Sequence, residues 1–400
     1  MTKDARPAGS DAPPPRFAAL DGLRGLAILM VLFVHFIGDE TPRSTVESLM
    51  VKLSNYGIWG VDLFFVLSGF LITGILYDAK TSPHYFRNFY VRRTLRIFPL
   101  YFGVLFVLFG VLPLFPAAYP ARLAESARHQ AWLWTYTSNL YLASARSWAL
   151  PYVGHFWSLA VEEHFYLVWP LVVLASSRTT LLRVCAFCTA FALGLRCALS
   201  LAGAGDVALV VLTPGRLDAL CVGGALAIVV RSVGMERAAR YARPALFALP
   251  ALVLVVSAWN ATQGSLRDVI LPVRGTLVGI SFGATLLASL VEPPTTWAGR
   301  VLHSRALHFL GKYSYGVYVF HGVIAFALQE HHVLDALAGA LGSHLLAMIV
   351  QAVAGAGVSL LVAIASYELF EKPFLQLKDR FAPSTRPRPA RDVPETAPVT

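Results

Sequence analysis

The chain has 400 residues, of which 56% are hydrophobic and only 14% are charged, and its mean hydropathy is +0.60. Soluble domains carry about 25% charged residues, so this composition excludes a soluble globular protein and predicts a polytopic membrane protein. The formal net charge is +10. Because the basic residues lie mostly between apolar segments, where they set topology, we expect no nucleic-acid partner.

The apolar segments predict an all-α integral membrane protein, a bundle of about ten transmembrane helices. They span residues 17–37, 57–77, 97–115, 155–175, 181–201, 207–230, 244–259, 269–291, 308–328 and 343–365. With the N-terminus inside, 22 Lys and Arg residues fall in cytoplasmic segments and six fall outside. The positive-inside rule therefore predicts that both termini are cytoplasmic.

The two ends of the chain differ in composition from the apolar part. Residues 1–16 and 375–400 are polar and rich in proline, which predicts a disordered cytoplasmic N-terminus and a disordered cytoplasmic tail. The membrane domain is expected to span residues 17–374.

Two ionisable residues lie inside the first apolar segment, Arg24 and His35. Eleven positions on a helix place them on one face, about 16 Å apart along the axis. Ionisable side chains in hydrocarbon are costly, which favours a functional site. Two other interpretations stay open: His35 packs between helices, or Arg24 forms a buried ion pair with Asp21 or Glu162.

The segment before the third predicted helix carries Arg93 and Arg96 at helical spacing. Two guanidinium groups on one face suit the oxygens of phosphate groups. The alternative is simple anchoring of a basic segment at the cytoplasmic side of the membrane.

The fourth predicted helix opens with two carboxylates and two histidines in an apolar stretch. Glu162 shares a face with Tyr166, and we expect Glu162 or its neighbour Glu163 to be functional. His155, at the start of this helix, is interpreted as interfacial.

Polar groups also lie in the sixth and ninth predicted helices. Arg216 and Asp218 are candidate partners for other buried charges. Tyr313, Tyr315, Tyr318 and His321 either bond a substrate or lie at an interface, and the sequence does not separate these two interpretations.

Three further patterns are weaker. Ser68 lacks the Gly-x-Ser-x-Gly pattern of a nucleophile, so Ser68 and Gly69 predict close contact between helices. Cys185 and Cys188 form a single CxxC spacing, from which we expect no metal site. The longest predicted outer loop, residues 116–154, carries tryptophans and tyrosines that suit either the membrane interface or a sugar-stacking surface.

Together, these segments resemble the acyltransferase-3 family of integral membrane O-acyltransferases, from about Phe17 to Phe374. The motifs appear in the order expected. They are Arg24-x10-His35, the Gly60–Phe70 helix, Arg93-x-x-Arg96 with Pro99, Trp157-Ser158-Leu-x-Val-Glu162-x-x-Phe165-Tyr166, Tyr313-Ser314-Tyr315-Gly316 and Glu371-Lys372-Pro373. Each motif is modest evidence alone, but the ordered set is specific.

The resemblance implies an enzyme of the bacterial cytoplasmic (inner) membrane that transfers an acyl group, in many members acetyl, to a hydroxyl. The expected donor is cytoplasmic acyl-CoA, with no tightly bound cofactor. The expected acceptor is a surface or secreted carbohydrate or a lipid-linked glycan. The alternatives are acylation of a small molecule such as a macrolide or, in a different class, a proton-coupled transporter.

The resemblance also assigns expected roles to individual residues. His35 is the general base, Arg24 and Glu162 complete the catalytic set, and Arg93 with Arg96 binds the donor. The tyrosines at positions 166, 313 and 315 are expected to contact substrate. Direct transfer and a transient acyl group on His35 both stay open.

Many relatives carry an extracellular hydrolase-like domain after the last helix, whereas only a short polar tail follows here. We therefore expect a stand-alone form that completes the transfer by itself. The acceptor, the acyl chain and the oligomeric state stay open at this point.

Overall fold

The computed structural model describes residues 15–260 and 267–381, and every regular element within these ranges is helical. The earlier part contains α1 Pro15–Phe33, α2 Thr45–Ser54, α3 Trp59–Asp78, α4 Tyr85–Phe106, α5 Ala121–Ala127, α6 Ala131–Trp134, α7 Ser138–Ala145, α8 Trp157–Ala175 and α9 Arg178–Leu201. The later part contains α10 Asp206–Val211, α11 Thr213–Val233, α12 Met235–Ala242, α13 Ala245–Asn260, α14 Arg267–Ser289, α15 Trp297–Leu302, α16 Arg305–Glu330, α17 Val333–Leu341, α18 His344–Ser366 and α19 Lys372–Phe381. The π-helical turns Val34–Gly38, Val107–Val111 and Tyr367–Glu371 extend α1, α4 and α18.

Within the described residues, seven stretches are long and apolar enough to cross a membrane. They are Ala19–Gly38, Thr45–Asp78, Tyr85–Leu114, Gly154–Ala175, Arg178–Leu201, Asp206–Val233 and His344–Leu377. The chain is therefore a multi-pass, all-helical membrane protein. The predicted segments at 244–259, 269–291 and 308–328 are helical as α13, α14 and α16, but they are not among these seven stretches.

Two predicted boundaries differ from the structure for identifiable reasons. The third predicted segment starts at residue 97, whereas α4 starts at Tyr85 because its first turns are helical but strongly basic. The segment predicted at 207–230 is divided between α10 and α11, and Leu212 is extended at the break. Pro214 lies in the first turn of α11, where its missing N–H is tolerated.

The predicted disordered ends fall largely on residues 1–14 and 382–400, which lie outside the described residues. The tail was expected to begin at residue 375. The structure instead continues as α19 to Phe381, packed against α4.

Glycines allow the central helices to approach at backbone distance. A Cβ atom added to Gly69 of α3 would lie 1.9 Å from the carbonyl oxygen of Leu220 in α11. The same atom on Gly25 of α1 would lie 2.2 Å from the carbonyl oxygen of Leu307 in α16. The close contact predicted around Gly69 is thus confirmed. These two crossings hold α3 against α11 and α1 against α16.

The Gly69 crossing makes a stability prediction. Gly69→Ala should lower the free energy of unfolding by about 1–3 kcal/mol, because two backbones must separate to admit a methyl group. Thermal unfolding of the purified protein in detergent measures the change. Gly357→Ala is the control, since a Cβ there meets nothing within 4 Å. An equal melting temperature for both variants would contradict the predicted crossing.

Candidate active site

Two adjoining cavities lie between α1, α3, α4, α8 and α16. The larger, here called the basic cavity, has a volume of about 760 Å³, and its walls include Arg24, Arg92, Arg93, Arg96 and Lys312. The smaller, here called the inner pocket, has a volume of about 120 Å³. The linings of both cavities include Arg24, Leu71, Arg93, Arg96 and Tyr315, so the two spaces meet at these residues.

The inner pocket combines apolar walls with a few polar groups. Helix α3 contributes the apolar residues Val61, Phe64, Phe65, Leu67 and Leu71. Helices α8 and α16 contribute the polar residues Ser158, Glu162, Glu163, Tyr166, Ser314, Tyr315 and Tyr318. A mostly apolar space with a few placed polar groups is typical of a binding site for a small molecule or cofactor.

Helix α4 brings both predicted donor-binding arginines to the same space. Arg93 and Arg96 lie one turn apart, as predicted, and both line both cavities. The guanidinium carbon of Arg93 lies 4.5 Å from the ring centroid of Tyr166, a cation–π contact. This contact orients Arg93 beside the junction of the two spaces.

Arg24 also reaches this junction. Its Nη1 donates to Asp21 Oδ1 at 2.7 Å, one turn earlier in α1. Of the two partners considered from the sequence, the ion pair is therefore formed with Asp21. Arg24 also lines both cavities.

Helix α8 places both of its candidate carboxylates on the inner pocket, Glu162 and Glu163. Glu163 Oε1 is buried and has no hydrogen-bond partner in the described part of the chain. Tyr166 and Ser68 bond through their hydroxyl groups at 2.6 Å. Ser68 therefore links α3 to α8, which agrees with its predicted packing role.

The two predicted contact tyrosines of α16 line different parts of the cavities. Tyr315 lines both cavities and donates its hydroxyl to the carbonyl of Ile97 in α4 at 2.7 Å. Tyr313 lines the basic cavity, where its hydroxyl accepts from Lys312 Nζ at 2.8 Å. Both predicted contact residues thus lie on the cavity walls.

His35 lies outside the walls of both cavities. It is half-buried in the π-helical turn after α1, and its Nδ1 is 2.9 Å from the carbonyl oxygen of Val31. A carbonyl only accepts, so Nδ1 carries the proton and the neutral ring keeps its lone pair on Nε2. Turns of this kind often occur at functional sites.

His35 is one of three histidines from distant segments whose side chains lie together. The ring of His321 lies between the other two, with centroids 4.7 Å from His35 and 4.8 Å from His155. We call these three side chains the histidine cluster. His321 is 0% exposed and His155 is 9% exposed, so the interfacial interpretation of His155 is wrong: this residue lies in the core.

Tyr318 connects the histidine cluster to the inner pocket. Its ring centroid is 5.3 Å from that of His321, and Tyr318 itself lines the pocket. Its hydroxyl bonds the Ser158 hydroxyl at 2.5 Å and the carbonyl oxygen of His155 at 3.0 Å. The sequence singled out Tyr318 and both partner histidines, but gave no signal that they would meet.

Buried ion pairs hold the helices around this site. Arg216 of α11 donates to Asp62 of α3, and Arg196 Nη2 of α9 donates to Asp218 Oδ2 of α11 at 2.5 Å. Thr276 of α14 bonds the same carboxylate at 2.9 Å. The prediction that Arg216 and Asp218 serve as internal charge partners is confirmed.

Two other sequence patterns have structural outcomes. All four cysteines are free, and no group of three or more His, Cys, Asp or Glu that could hold a metal ion occurs in the described ranges. The aromatic segment at residues 116–154 forms the short helices α5 to α7, and Trp134 stacks on Phe102 with centroids 5.8 Å apart. Trp132 and Trp148 remain 39% and 49% exposed.

A family model described as an acyltransferase domain, the acyltransferase-3 model, matches residues 17–368. The chain belongs to the acyltransferase-3 family. The match includes α1, α3, α4, α8 and α16, each of which lines at least one of the two cavities. Membership favours an enzyme over the transporter alternative. No solved structure matches the chain.

Named relatives belong to the same class. The chain is 30% identical over 327 residues to "Putative peptidoglycan O-acetyltransferase YrhL" of Bacillus subtilis. The aligned region covers 76% of this chain and 47% of that relative. Peptidoglycan O-acetyltransferase OatA of Listeria monocytogenes is 25% identical over 322 residues, and the alignment covers 76% of this chain and 48% of that relative. O-acetyltransferase OatA of Staphylococcus aureus is 24% identical over 347 residues, and the alignment covers 83% of this chain and 54% of that relative. The chain thus matches about half the length of these relatives.

Removal of one partner of a buried ion pair should destabilise the protein. Asp218→Ala should lower the free energy of unfolding by about 3–5 kcal/mol, because Arg196 is left as an uncompensated buried charge. Unfolding in detergent, followed by heating or denaturant, measures the loss.

The control is the exposed pair between Arg43 and Asp335, 2.8 Å apart with side chains 58% and 61% exposed. Asp335→Ala should change stability by at most about 1 kcal/mol. Losses of equal size at Asp218 and Asp335 would show that the buried pair does not stabilise the bundle.

Proposed function

We propose that the chain is an O-acetyltransferase of the bacterial cytoplasmic membrane. It transfers an acyl group, most simply acetyl, from cytoplasmic acyl-CoA to a hydroxyl of a surface carbohydrate. Family membership and the peptidoglycan O-acetyltransferases among the relatives support this reaction. In this proposal α13, α14 and α16 also cross the membrane, which gives about ten spans and two cytoplasmic termini.

The observation that carries the proposal is the junction of the two cavities. Arg24, Arg93 and Arg96 face a space of about 760 Å³ on one side and an inner pocket of about 120 Å³ on the other. Guanidinium groups bind phosphate oxygens in a bidentate manner. The basic cavity is therefore the binding site for the nucleotide phosphates of the donor.

The inner pocket suits the other end of the same donor. The chain linking the nucleotide to the thioester is thin, has no net charge and carries amide groups. The apolar side chains of α3 would pack along it, and the hydroxyl and carboxylate groups of α8 and α16 would bond its amides. A volume of about 120 Å³ favours a short acyl group at the inner end.

His35 acts as the general base on the acceptor hydroxyl. Its Nδ1 proton is committed to the carbonyl oxygen of Val31, so Nε2 is free to accept the proton of the attacking hydroxyl. Arg24 binds the donor phosphates together with Arg93 and Arg96, at the junction of the two cavities. Glu162 and Tyr166, with Tyr315, hold the bound thioester in the inner pocket.

The proposal requires one movement. Tyr318 lies between the inner pocket and the histidine cluster, so its side chain must shift before the thioester can reach a hydroxyl held by His35. Its bonds to Ser158 and to the carbonyl of His155 would be exchanged for bonds to substrate. The acceptor approaches from the opposite side, where His35 is partly exposed.

The base role is tested with labelled acetyl-CoA and peptidoglycan fragments in membrane vesicles. His35→Ala should reduce turnover by about 10²- to 10⁴-fold, because the hydroxyl loses its proton acceptor. His308→Ala is the matched control, a histidine of α16 outside both cavity linings. Full turnover by His35→Ala at normal expression would contradict the base role.

The donor site is tested by substitution of Arg93. Arg93→Ala should raise the KM for acetyl-CoA by about 10- to 100-fold, because charged hydrogen bonds contribute about 1.5–3 kcal/mol each. The same assay measures the change. Arg87→Ala is the control, two turns earlier in α4 and outside both cavity linings. An unaltered donor dependence in Arg93→Ala would reject phosphate binding at this residue.

A further inference from the structure

The three arginines at the junction are only part of the positive charge around the basic cavity. Among the described residues, its walls carry five cationic side chains, those of Arg24, Arg92, Arg93, Arg96 and Lys312. The first, third and fourth of these also line the inner pocket, whereas Arg92 and Lys312 line the basic cavity alone. Positive charge therefore continues beyond the junction, on the side away from the inner pocket.

The acidic groups on the same walls do not balance this charge. Two carboxylates of the described chain line the basic cavity, those of Asp78 and Glu371. Asp78 accepts hydrogen bonds of 2.7 and 2.6 Å from Arg231, which is not part of the lining. The cavity thus keeps an excess of positive charge, which favours a ligand with several negative charges.

Lys312 lies farther from the inner pocket than the junction does. It precedes Tyr315 by three residues of α16, which is about 4.5 Å along the helix axis. Tyr315 lines both cavities, whereas Lys312 lines the larger one alone. A donor with its thioester in the inner pocket and its diphosphate at the junction would therefore bring its adenosine end toward Lys312.

Two aromatic rings hold the ammonium group of Lys312 in place. Its Nζ lies 4.5 Å from the ring centroid of Tyr313 and 4.9 Å from that of Tyr367. The same nitrogen donates to the Tyr313 hydroxyl at 2.8 Å. Lysine side chains are flexible, but these three contacts order this one without neutralising its charge.

The nearest carboxylate to this ammonium group is shared with a second lysine. Lys372 Nζ donates to Glu368 Oε2 at 2.8 Å, whereas Lys312 Nζ is 3.5 Å from Glu368 Oε1. Neither Glu368 nor Lys372 belongs to the cavity lining. Since two ammonium groups face one carboxylate, the group that lines the cavity retains positive charge for a ligand.

We propose that Lys312 binds the 3′-phosphate of the donor and makes the enzyme selective for acyl-CoA over the same thioester without that phosphate. Coenzyme A carries a diphosphate between its two halves and a separate phosphate monoester on the 3′-hydroxyl of its ribose. A phosphate monoester has about −1.5 to −2 charges at pH 7, and lysine binds phosphate as a point charge. This inference rests on the proposed function and adds to it the recognition of one group of the donor.

The test compares acetyl-CoA with acetyl-3′-dephospho-CoA in membrane vesicles that are supplied with peptidoglycan fragments. For the wild type, kcat/KM should be about tenfold or more higher with acetyl-CoA, because a charged hydrogen bond is lost with the other donor. Lys312→Gln should reduce this preference to within about threefold. The change should lie in a raised KM for acetyl-CoA at unchanged kcat, since the 3′-phosphate takes no part in the chemical step.

The matched control is Lys372→Gln, the same substitution at the other lysine beside Glu368. Lys372 lies outside the cavity lining, so this variant should keep the wild-type preference. Lys312→Arg retains a cation on the cavity wall and should also keep a preference for acetyl-CoA.

Four outcomes would overturn the proposal. One is an equal kcat/KM for the two donors in the wild type, and another is a full preference in Lys312→Gln. A Lys312→Gln variant that loses activity equally with both donors would indicate a structural role alone. Equal losses of preference in Lys312→Gln and Lys372→Gln would indicate a general effect of charge rather than a contact with Lys312.

A second measurement uses only the wild-type enzyme and two nucleotides. Adenosine 3′,5′-bisphosphate carries the 3′-phosphate, and adenosine 5′-monophosphate lacks it. The bisphosphate should compete with acetyl-CoA at about tenfold lower concentration, because it makes the additional charged contact. Equal inhibition by both nucleotides would contradict recognition of the 3′-phosphate.

Arg93→Ala separates this inference from the proposed function. It should raise the KM of both donors, because both carry the diphosphate. If neither donor supports transfer by the wild type, the proposed donor is wrong and the role of Lys312 fails with it. If both donors support transfer equally and Arg93→Ala weakens both, only the role of Lys312 fails.

Discussion

The hydrogen bond from His35 Nδ1 to the carbonyl oxygen of Val31 is the contact on which the proposed chemistry depends. It assigns the proton of the neutral imidazole to one nitrogen and leaves the lone pair on the other. The π-helical turn that begins at Val34 sets the local backbone around this ring. The sequence alone supplies the histidine, but this local geometry determines which of its nitrogens can act as a base.

The charges of the interior are arranged in two distinct ways. Arg196 and Arg216 are each bonded to an aspartate in the tightly packed region between α3, α9 and α11, where an unpaired charge would be costly. Arg93 and Arg96 instead face a cavity large enough for a ligand. The first arrangement stabilises the bundle, whereas the second leaves positive charge available for an anion.

The sequence was most informative where a single physical rule decides the outcome. Apolar runs predicted α3 and α9 to within a few residues, because a long apolar run with few charges has few alternatives to a buried helix. Spacing predicted that Arg93 and Arg96 share a face, since three positions are nearly one helical turn. Gly69 was correctly identified as a point of close contact between helices.

The rest of the site depends on tertiary structure that no local pattern encodes. His155 and His321 are separated by more than 160 residues in the chain, yet their rings lie 4.8 Å apart because the turn before α8 contacts α16, which packs against α1. Sequence reasoning left His321 between two interpretations and misplaced His155 at the interface. The sequence did not indicate that Tyr318 lies between His35 and the inner pocket, because the order of side chains between two helices follows from their packing alone.

In the proposed reaction the donor enters the basic cavity and presents its acyl group to the histidine cluster through the inner pocket. The most direct test is an experimental structure of the protein in a lipid nanodisc with a non-hydrolysable thioether analogue of acetyl-CoA. The account predicts phosphate density against Arg93 and Arg96 and the acyl end in the inner pocket beside Tyr318. Phosphates bound outside the basic cavity, or a His35 ring that faces lipid, would contradict it.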